Sequence, residues 1–297
     1  MKLFGNLSRH LVERPLSCIL IAIIITISLI PGLNRVESDF GYRIWFRESE
    51  PLLKRYDDFQ AKFGNDDLVN IIIHSPDGIF DKRSIEIVRE ATEGMWLIPD
   101  VISVDSITNY QWTTADGDDI TIEDFIPEEF DQSILNKKKE LAINDKTLPD
   151  YLINKKATVT NIYAKIRPYF KGAPDDKLII NKTREMINKI KNRLGKDDKH
   201  EIYINGSLDI NNTFREVSEH DVKTIFPAVF ILIIIFLTFT FKRLLGVILP
   251  LIIITLTTLS TFGIAGYLGI KFNNMIAMVP TIIIAIAIAD SVHVLIT

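Results

Sequence analysis

Apolar residues are gathered in four long runs along the chain, and a strongly charged segment separates the first run from the second. The runs are Leu16 to Leu33, Ile225 to Phe241, Leu244 to Tyr267 and Met275 to Thr297. A membrane-spanning helix needs about 20 predominantly apolar residues. Each run reaches that length or comes close to it, so the pattern predicts a polytopic membrane protein.

The segment between the first and second runs has an apolar spacing that predicts two strand, helix, strand units. The first unit comprises a strand Leu68 to His74, a helix Asp81 to Met95 and a strand Val101 to Val104. The second comprises a strand Ala157 to Ile166, a helix Asp175 to Leu194 and a strand Glu201 to Ile204. Two such units fit a split βαβ, ferredoxin-like sandwich. We therefore expect a membrane α-helical bundle with an α+β exterior domain.

Between these two units, the pattern predicts a hairpin from Tyr110 to Ile122 and a helix or helical linker from Pro127 to Asn144. Asp116, Asp118 and Asp119 lie around the hairpin turn, where they could attract calcium. They lack the ligand ladder and terminal Glu of an EF-hand loop, so we interpret them as solvated turn acids. No metal site is predicted.

Positive charges next to the apolar runs predict the orientation of the chain. Lys2, Arg9 and Arg14 precede the first run, and Lys242 with Arg243 link the second run to the third. Both groups are expected in the cytoplasm. The expected division is a cytoplasmic N-terminus 1–14, spans 15–33, 225–241, 244–267 and 274–297, and an exterior, periplasmic domain 34–224. The first run could also be a cleaved signal peptide, but no small-x-small site follows it, which favours a retained anchor.

Charge and missing motifs narrow the classes of function. The net charge is −4, and Lys and Arg are interspersed with Asp and Glu, so nucleic-acid binding is not indicated. The sequence has no G-x-x-x-x-G-K-[ST] phosphate loop, no G-x-S-x-G elbow and no H-E-x-x-H pair. The chain is therefore not expected to be an enzyme, and no cofactor is predicted. Energy for any transport would have to come from an ion gradient.

We interpret three histidines, the single cysteine, three glycines and one proline as structural residues and not as parts of a functional site. His74, His200 and His220 have no neighbouring ligand residues in sequence, which favours structural or solvated roles. The single cysteine, Cys18, lies in the first run, so the exterior segment can form no disulfide within itself. The glycines of the third run recur at three-residue spacing, which lets another helix approach closely: Gly263, Gly266 and Gly269. Pro280 is expected to kink or bend the fourth span.

Asp290 and His293 are ionisable residues inside the last apolar run. An Asp at the centre of a span costs roughly 2.5 to 3.5 kcal/mol on insertion scales, so such residues are usually functional. On a helix, positions i and i+3 share a face, and Ser291 lies about 100° from Asp290. An acid, an imidazole and a hydroxyl at membrane depth can bind and release protons in turn. The alternative is an interhelical hydrogen-bond clamp or a residue that snorkels to the membrane surface.

The layout of one span, a long exterior α+β segment and three closely spaced spans with an acid in the last resembles the resistance, nodulation and division (RND) superfamily of exporters. It is most similar to the MMPL-like and sterol-sensing-domain-like branch. The residues that carry the resemblance are Asp39-Phe40, Phe63-Gly64-Asn65-Asp66-Asp67, Phe80 and above all Ile288-Ala289-Asp290-Ser291-Val292-His293. The resemblance implies twelve spans in two similar halves, each with an exterior porter domain, and this chain corresponds to the N-terminal part of such a protein.

Carried over residue by residue, the resemblance implies that Asp290 is the proton-relay carboxylate, with His293 as an accessory and Ser291 beside it. Many MMPL-type members have Tyr directly after the acid, whereas Ser291 stands here. The chain stops at Thr297 within an apolar run. We therefore expect a fragment or a truncated gene product that lacks the second half and its complementary relay residues.

Two functional hypotheses follow. In the first, the protein is an inner-membrane exporter that uses the proton-motive force to move lipidic or hydrophobic molecules. Its partners would be membrane lipids, the hydrophobic substrate, protons, and the missing C-terminal half, a partner subunit or further copies in a homo-oligomer. In the second, it is a non-transporting lipid sensor or translocase accessory protein, in which Asp290 holds a partner helix.

Overall fold

The computed structural model describes residues 13–47, 49–64, 66–116, 119–168, 174–195 and 198–296. Lys2, Arg9, Asn65, Asp118 and Thr297, which enter the predictions above, lie outside these ranges. The chain forms two compact units. The membrane unit comprises residues up to 45 together with those from 214 onward, and the α+β unit comprises residues 46–213.

Helices dominate the membrane unit, and helices and strands alternate in the α+β unit. In chain order the α-helices are α1 Pro15–Leu33, α2 Pro51–Phe63, α3 Lys82–Trp96, α4 Gln132–Asn144, α5 Asp176–Leu194, α6 Ser207–Phe241, α7 Leu244–Tyr267 and α8 Val279–Ile296. The strands are β1 Leu68–His74, β2 Val101–Asp105, β3 Gln111–Asp116, β4 Asp119–Asp124, β5 Val159–Ile166 and β6 Glu201–Asn205. Short 3₁₀ turns occupy Tyr42–Trp45 and Ile276–Met278.

Four helical stretches of the described chain are long and apolar enough to cross a membrane: Pro15–Leu33, Ser207–Phe241, Leu244–Tyr267 and Ile276–Val294. Together with the antiparallel sheet of the α+β unit, they give the expected combination of membrane helices with a separate domain. The second of these helices, α6, has 35 residues. At 1.5 Å per residue it is about 50 Å long, which exceeds the ~30 Å hydrocarbon core. The polar part of the helix, from Ser207 to Thr224, therefore precedes the apolar run that begins at Ile225.

The main sheet of the α+β unit has four strands in the order β2-β5-β1-β6. Every neighbouring pair is antiparallel, and the central residue Ile71 lies opposite Ile162 on β5 and Ile204 on β6. Each strand, helix, strand unit therefore places its two strands apart, with one strand of the other unit between them. The hairpin β3-β4 forms a second, two-stranded sheet.

One face of the main sheet carries the core of the α+β unit. Val69, Ile71 and Ile73 alternate along β1 and are fully buried, and α3 contacts β2, β5 and α5. Burying a side chain of this size contributes roughly 1.5 to 3 kcal/mol. The helices begin where aspartates cap them, as Asp81 Oδ1 accepts from Ser84 N at 3.0 Å and Asp175 Oδ1 from Leu178 N at 3.0 Å. The cap residues explain why these two helices start where the sequence predicted.

Three local predictions differ from the structure. Helix α2 was not predicted, since its buried residues, Leu53 and Gln60, include one polar side chain and give a weak apolar pattern. Helix α4 begins after Asp131, which caps Ile134 N at 2.8 Å, and not at Pro127. Pro280 lies in the first turn of α8, where its missing N–H breaks no helical hydrogen bond, so the predicted kink is wrong.

Close packing of α1 against α7 depends on glycine. A Cβ atom on Gly32 would lie 2.9 Å from the carbonyl carbon of Gly263, and one on Gly266 would lie 2.7 Å from that of Gly32. These distances are too short for any side chain, so the predicted close helix approach at Gly263 and Gly266 is confirmed. Gly269 does not take part, because it follows the end of α7 with a positive φ of 68°.

Candidate functional site

Helix α8 carries the three residues that the sequence singled out. The helix is apolar around most of its circumference, so its orientation is set by the neighbour it packs against, which is α7. Residues at i, i+3, i+4 and i+7 form one helical face. On α8 the buried face consists of Ile284, Ala287 and Ser291. Asp290 is exposed and lies at the edge of this face, where it lines a groove beside α7.

A groove of about 460 Å³ runs between α7 and α8. We call it the α7/α8 groove, and its lining residues are Leu249, Pro250, Ile253 and Thr257 from α7 and Ile283, Ile286, Ala287, Asp290, Ser291 and Val294 from α8. Apart from Asp290, Ser291 and Thr257, all of its side chains are apolar. It is large enough for a small ligand or for the side chains of another helix.

Asp290 is exposed at the surface of the membrane unit. Within the described part of the chain, its carboxylate has no hydrogen-bond or ion-pair partner. Ser291, in contrast, is only 7% exposed. A lone carboxylate beside apolar walls is costly at membrane depth unless it is protonated or meets a partner. Its setting makes Asp290 the chemically unusual residue of the membrane unit.

His293 is exposed and does not line the α7/α8 groove. On a helix of 3.6 residues per turn it projects about 60° from Asp290, away from the direction of Val294 and Ala287. The structure therefore brings Asp290 and Ser291 together in the groove and leaves His293 at its margin.

A buried polar network in the α+β unit was not foreseen from the sequence. His200 Nδ1 lies 2.7 Å from Asp198 Oδ1, and His200 Nε2 lies 2.8 Å from Ser84 Oγ. Arg83 also pairs with Asp198, at 2.6 Å. Although the order of groups resembles a hydrolase triad, Ser84 is fully buried and its hydroxyl also contacts Asp81. No substrate can reach it, so the network joins the start of α3 to the segment before β6.

The electrostatics of Asp198 follow from this network. Burial is the largest single influence on the pKa of the Asp198 carboxyl, and it raises this pKa because it opposes ionisation. Hydrogen bonds from the backbone and ring of His200, together with the positive charges of His200 and Arg83, lower it by more. The pKa of Asp198 is therefore below its usual range. At a second position, burial and the neighbouring Asp105 carboxylate raise the pKa of Tyr151 to about 12. Both groups keep fixed charge states near neutral pH, which is typical of structural positions.

No group of three or more His, Cys, Asp or Glu side chains within the described ranges is arranged to hold a metal ion. Asp118, one of the turn acids considered for calcium, lies outside those ranges.

Residues 161–296 match the model of the MMPL family. The matched segment starts in β5, contains α6, α7 and α8, and includes Asp290. The resemblance to the MMPL-like branch of the RND superfamily is thereby confirmed for this part of the chain. No curated protein matches the chain.

Proposed function

We propose that the protein is an RND-type transporter that exports lipidic or other hydrophobic molecules across the cytoplasmic membrane, driven by the proton-motive force. The match of residues 161–296 to the MMPL family supports a transporter of hydrophobic molecules. The observation that carries the proton-driven mechanism is the position of Asp290, an acid without a hydrogen-bond partner among the described residues, in an apolar groove between two candidate spans.

Asp290 acts as the proton relay in this proposal. An ionised carboxylate is strongly disfavoured in an apolar groove, whereas a protonated one is tolerated. Protonation from the exterior therefore favours a packing in which the groove closes around the neutral acid. Release of the proton to the cytoplasm favours a packing that gives the carboxylate a polar partner. Two packings with different proton affinities are what coupling requires. Ser291, beside Asp290, can donate a hydrogen bond to the ionised form.

Substrate would be handled by the α+β unit, which we assign to the exterior. Its strand order β2-β5-β1-β6 and its two split βαβ units fit a ferredoxin-like porter domain. Orientation is inferred from Lys242 and Arg243, which form the short link between α6 and α7 and belong in the cytoplasm. On this topology, α8 runs inward and places Asp290 past the membrane midplane.

The proposal is tested by Asp290→Asn in the complete gene product. Asparagine keeps the shape of the side chain and most of its hydrogen bonding but cannot titrate. We expect export of a fluorescent lipid analogue from membrane vesicles with an imposed pH gradient to fall to the level of vesicles without the protein. Abundance in the membrane is matched by immunoblotting. Asp221→Asn, which removes an acid from α6 outside the apolar run, is the matched control and should export normally.

His293→Gln distinguishes an accessory role from a relay role. Because His293 lies at the margin of the groove, we expect a smaller defect that depends on pH. Normal export by Asp290→Asn would eliminate the relay and leave the alternative, in which Asp290 clamps a partner helix in a lipid-sensing or accessory protein.

A further inference from the structure

One face of helix α2 carries a stripe of apolar side chains that the α+β unit leaves exposed. Leu52, Phe59 and Phe63 are 64%, 49% and 74% exposed. At 3.6 residues per turn they lie within about 40° of one another around the helix. The rings of Phe59 and Phe63 pack against each other, with centroids 4.9 Å apart. We call these three residues the α2 stripe. Contiguous exposed apolar patches mark interaction surfaces, including surfaces that bind membranes.

A different side of α2 is buried, which fixes the direction of the stripe. Leu53 and Gln60 are each 7% exposed, and they lie about 80 to 100° from Leu52 around the helix. The helix begins at Pro51, a residue suited to a first turn. Its last turn is closed by Gly64 N, which donates to Gln60 O at 2.9 Å. The stripe therefore belongs to an ordered, anchored helix and is directed away from the buried side.

Cations border the α2 stripe along one edge. Arg55 and Lys62 are exposed, and both lie within about 60° of Phe59 around the helix. Neither has an ion-pair partner in the part of the chain that the structure describes. The acids of the helix, Asp57 and Asp58, lie about 120° or more from the centre of the stripe. The face that carries the stripe therefore has positive charges beside it and no negative charge.

Helix α2 follows closely on the membrane unit along the chain. Only residues 46–50 separate the two, and a stretch of that length reaches at most about 20 Å when fully extended. Phe46, at its start, is 46% exposed. Earlier in the chain, Asp39 N donates at 2.9 Å to Phe272 O, which lies in the turn after α7 and hence just outside a candidate span. The length of the chain therefore keeps α2 within reach of a bilayer surface.

We propose that α2 lies flat on an anionic bilayer surface. The α2 stripe enters the boundary between headgroups and acyl chains, and Arg55 and Lys62 meet the lipid phosphates. A helix of low overall hydrophobicity that gathers Phe and Leu on one face, with basic residues beside it, is the pattern of helices that bind in this plane. Anionic headgroups attract Lys and Arg at this level. The contact would hold the α+β unit at the membrane, and it is independent of the relay role of Asp290.

The test uses the full chain with Cys18→Ser in nanodiscs of phosphatidylglycerol and phosphatidylcholine, in which both membrane surfaces are open to solvent. A nitrobenzoxadiazole fluorophore is attached at Leu52→Cys, in the stripe, or at Ala61→Cys, on the opposite side of α2. We expect spin-labelled lipid to quench the first probe and dissolved iodide to quench the second. Equal quenching of both probes by iodide would overturn the proposal. Protection of the Leu52→Cys probe from both quenchers would also overturn it, since a protein surface would then cover the stripe.

Charge variants test the choice of an anionic surface, at the phosphatidylglycerol content that leaves α2 of the parent half docked. Arg55→Gln with Lys62→Gln should lower the ratio of docked to undocked α2 about fivefold for each charge removed, because a basic residue at an anionic surface has an effect of that order. Lys54→Gln, about 160° from Leu52 around the helix, is the matched control and should dock like the parent.

Arg55, Lys62 and Lys54 are all exposed, so their replacement should leave the fold intact; size-exclusion chromatography and circular dichroism check each variant. Unchanged lipid quenching in the double variant, or an equal loss in Lys54→Gln, would overturn the assignment to anionic lipid. Docking of the parent to the same extent in pure phosphatidylcholine would also overturn it.

Discussion

Two aspartates, one in each unit, lie in opposite settings. Asp198 of the α+β unit has a side chain that is 6% exposed and pairs with His200 and Arg83. Asp290 of the membrane unit is exposed and has no hydrogen-bond partner in the described part of the chain. The first acid has a fixed charge that holds two segments together. The second has no such partner among the described residues, and for that reason we propose a function for it.

The apolar residues of the two units show the same contrast. Ile71 in β1 is 0% exposed, whereas Ile19 in α1 is 57% exposed. The α+β unit buries its apolar side chains within its own core, as a water-soluble domain must. The membrane unit leaves many of its isoleucines and leucines on the outside, as suits a lipid solvent, where exposed apolar side chains carry no cost. The difference means that the same substitution has different consequences in the two units.

The largest expected effect is a difference in thiol labelling between the α+β unit, which we assign to the exterior, and the link between α6 and α7, which we assign to the cytoplasm. In a Cys18→Ser background, Lys155→Cys in the α+β unit should react almost completely with a membrane-impermeant maleimide in intact cells. The Lys155 side chain is 78% exposed, so access does not limit the reaction. Lys242→Cys, in the link between α6 and α7, should react only after the cells are permeabilised. Labelling of Lys242→Cys alone in intact cells would reverse the proposed orientation.

A second large effect is expected where α1 packs on α7. Thr26 Oγ1 lies 3.0 Å from Ser260 Oγ, so Thr26→Cys with Ser260→Cys, again without Cys18, should form a disulfide on mild oxidation. Adding Gly266→Leu should abolish the cross-link, because a side chain there would collide with the carbonyl of Gly32. Ile264→Leu, at an exposed position on α7, is the control and should leave the cross-link intact. Efficient cross-linking in Gly266→Leu would show that the helices do not need the glycine contact.

Replacing a buried isoleucine should affect the free energy of unfolding much more than replacing an exposed isoleucine of the membrane unit. Ile71→Ala should lower the free energy of unfolding of the α+β unit by about 2 to 5 kcal/mol, since it leaves a cavity in a close-packed core. Ile19→Ala should leave the unfolding of that unit unchanged, because its side chain faces lipid. Both are measured by urea titration of the full chain in detergent, in a Trp45→Phe background, so that the fluorescence comes from Trp96 and Trp112 of the α+β unit. Equal effects of the two substitutions would mean that the units do not unfold separately.

Local patterns in the sequence were sufficient to predict the strands of the main sheet and the helices α3 and α5. The apolar run of β1 and the aspartate caps at Asp81 and Asp175 act over a few residues, so they can be recognised without tertiary contacts. The start of α6 at Ser207 was missed because its first part is polar and lacks a strong apolar period. The order of the strands depends on contacts between residues far apart in the chain, so no local pattern specifies it.

The candidate site was predictable in part for a similar reason. Asp290 stands out because its charge is at odds with the apolar residues around it. The groove, however, depends on which face of α8 meets α7, and an evenly apolar helix gives no sign of that face in its sequence. Helical spacing predicted His293 beside Asp290, while the packing leaves His293 at the margin and places Ser291 in the groove. Ser84 and His200 could not be linked in advance, because they are far apart in sequence and meet only in the folded unit.

The smallest expected effect is that of Asp198→Asn on the stability of the α+β unit. At pH 7 the substitution should cost about 1 to 3 kcal/mol, since it leaves His200 and Arg83 without a charged acceptor. The pKa of Asp198 is lower in the folded protein than its ordinary value of 3.8. The ionised carboxylate therefore stabilises the folded state at every pH above 3.8. This stabilisation is lost as the pH falls from 3.8 through the lower pKa of the folded state. The parent and the variant should therefore converge on acidification.

Urea titrations of the full chain at several pH values between 7 and 3, followed by tryptophan fluorescence, measure this convergence. Asp77→Asn is the matched control, since Asp77 is exposed and pairs with Lys199 at 3.0 Å on the surface; a surface pair of this kind contributes at most about 1 kcal/mol. A difference between the parent and Asp198→Asn that stayed constant down to pH 3 would show that the network is held by shape and not by the charge of Asp198. In that case Asp198 would no longer serve as the example of a structural charge. The proposal for Asp290, whose substitution should affect export and not unfolding, would be unchanged.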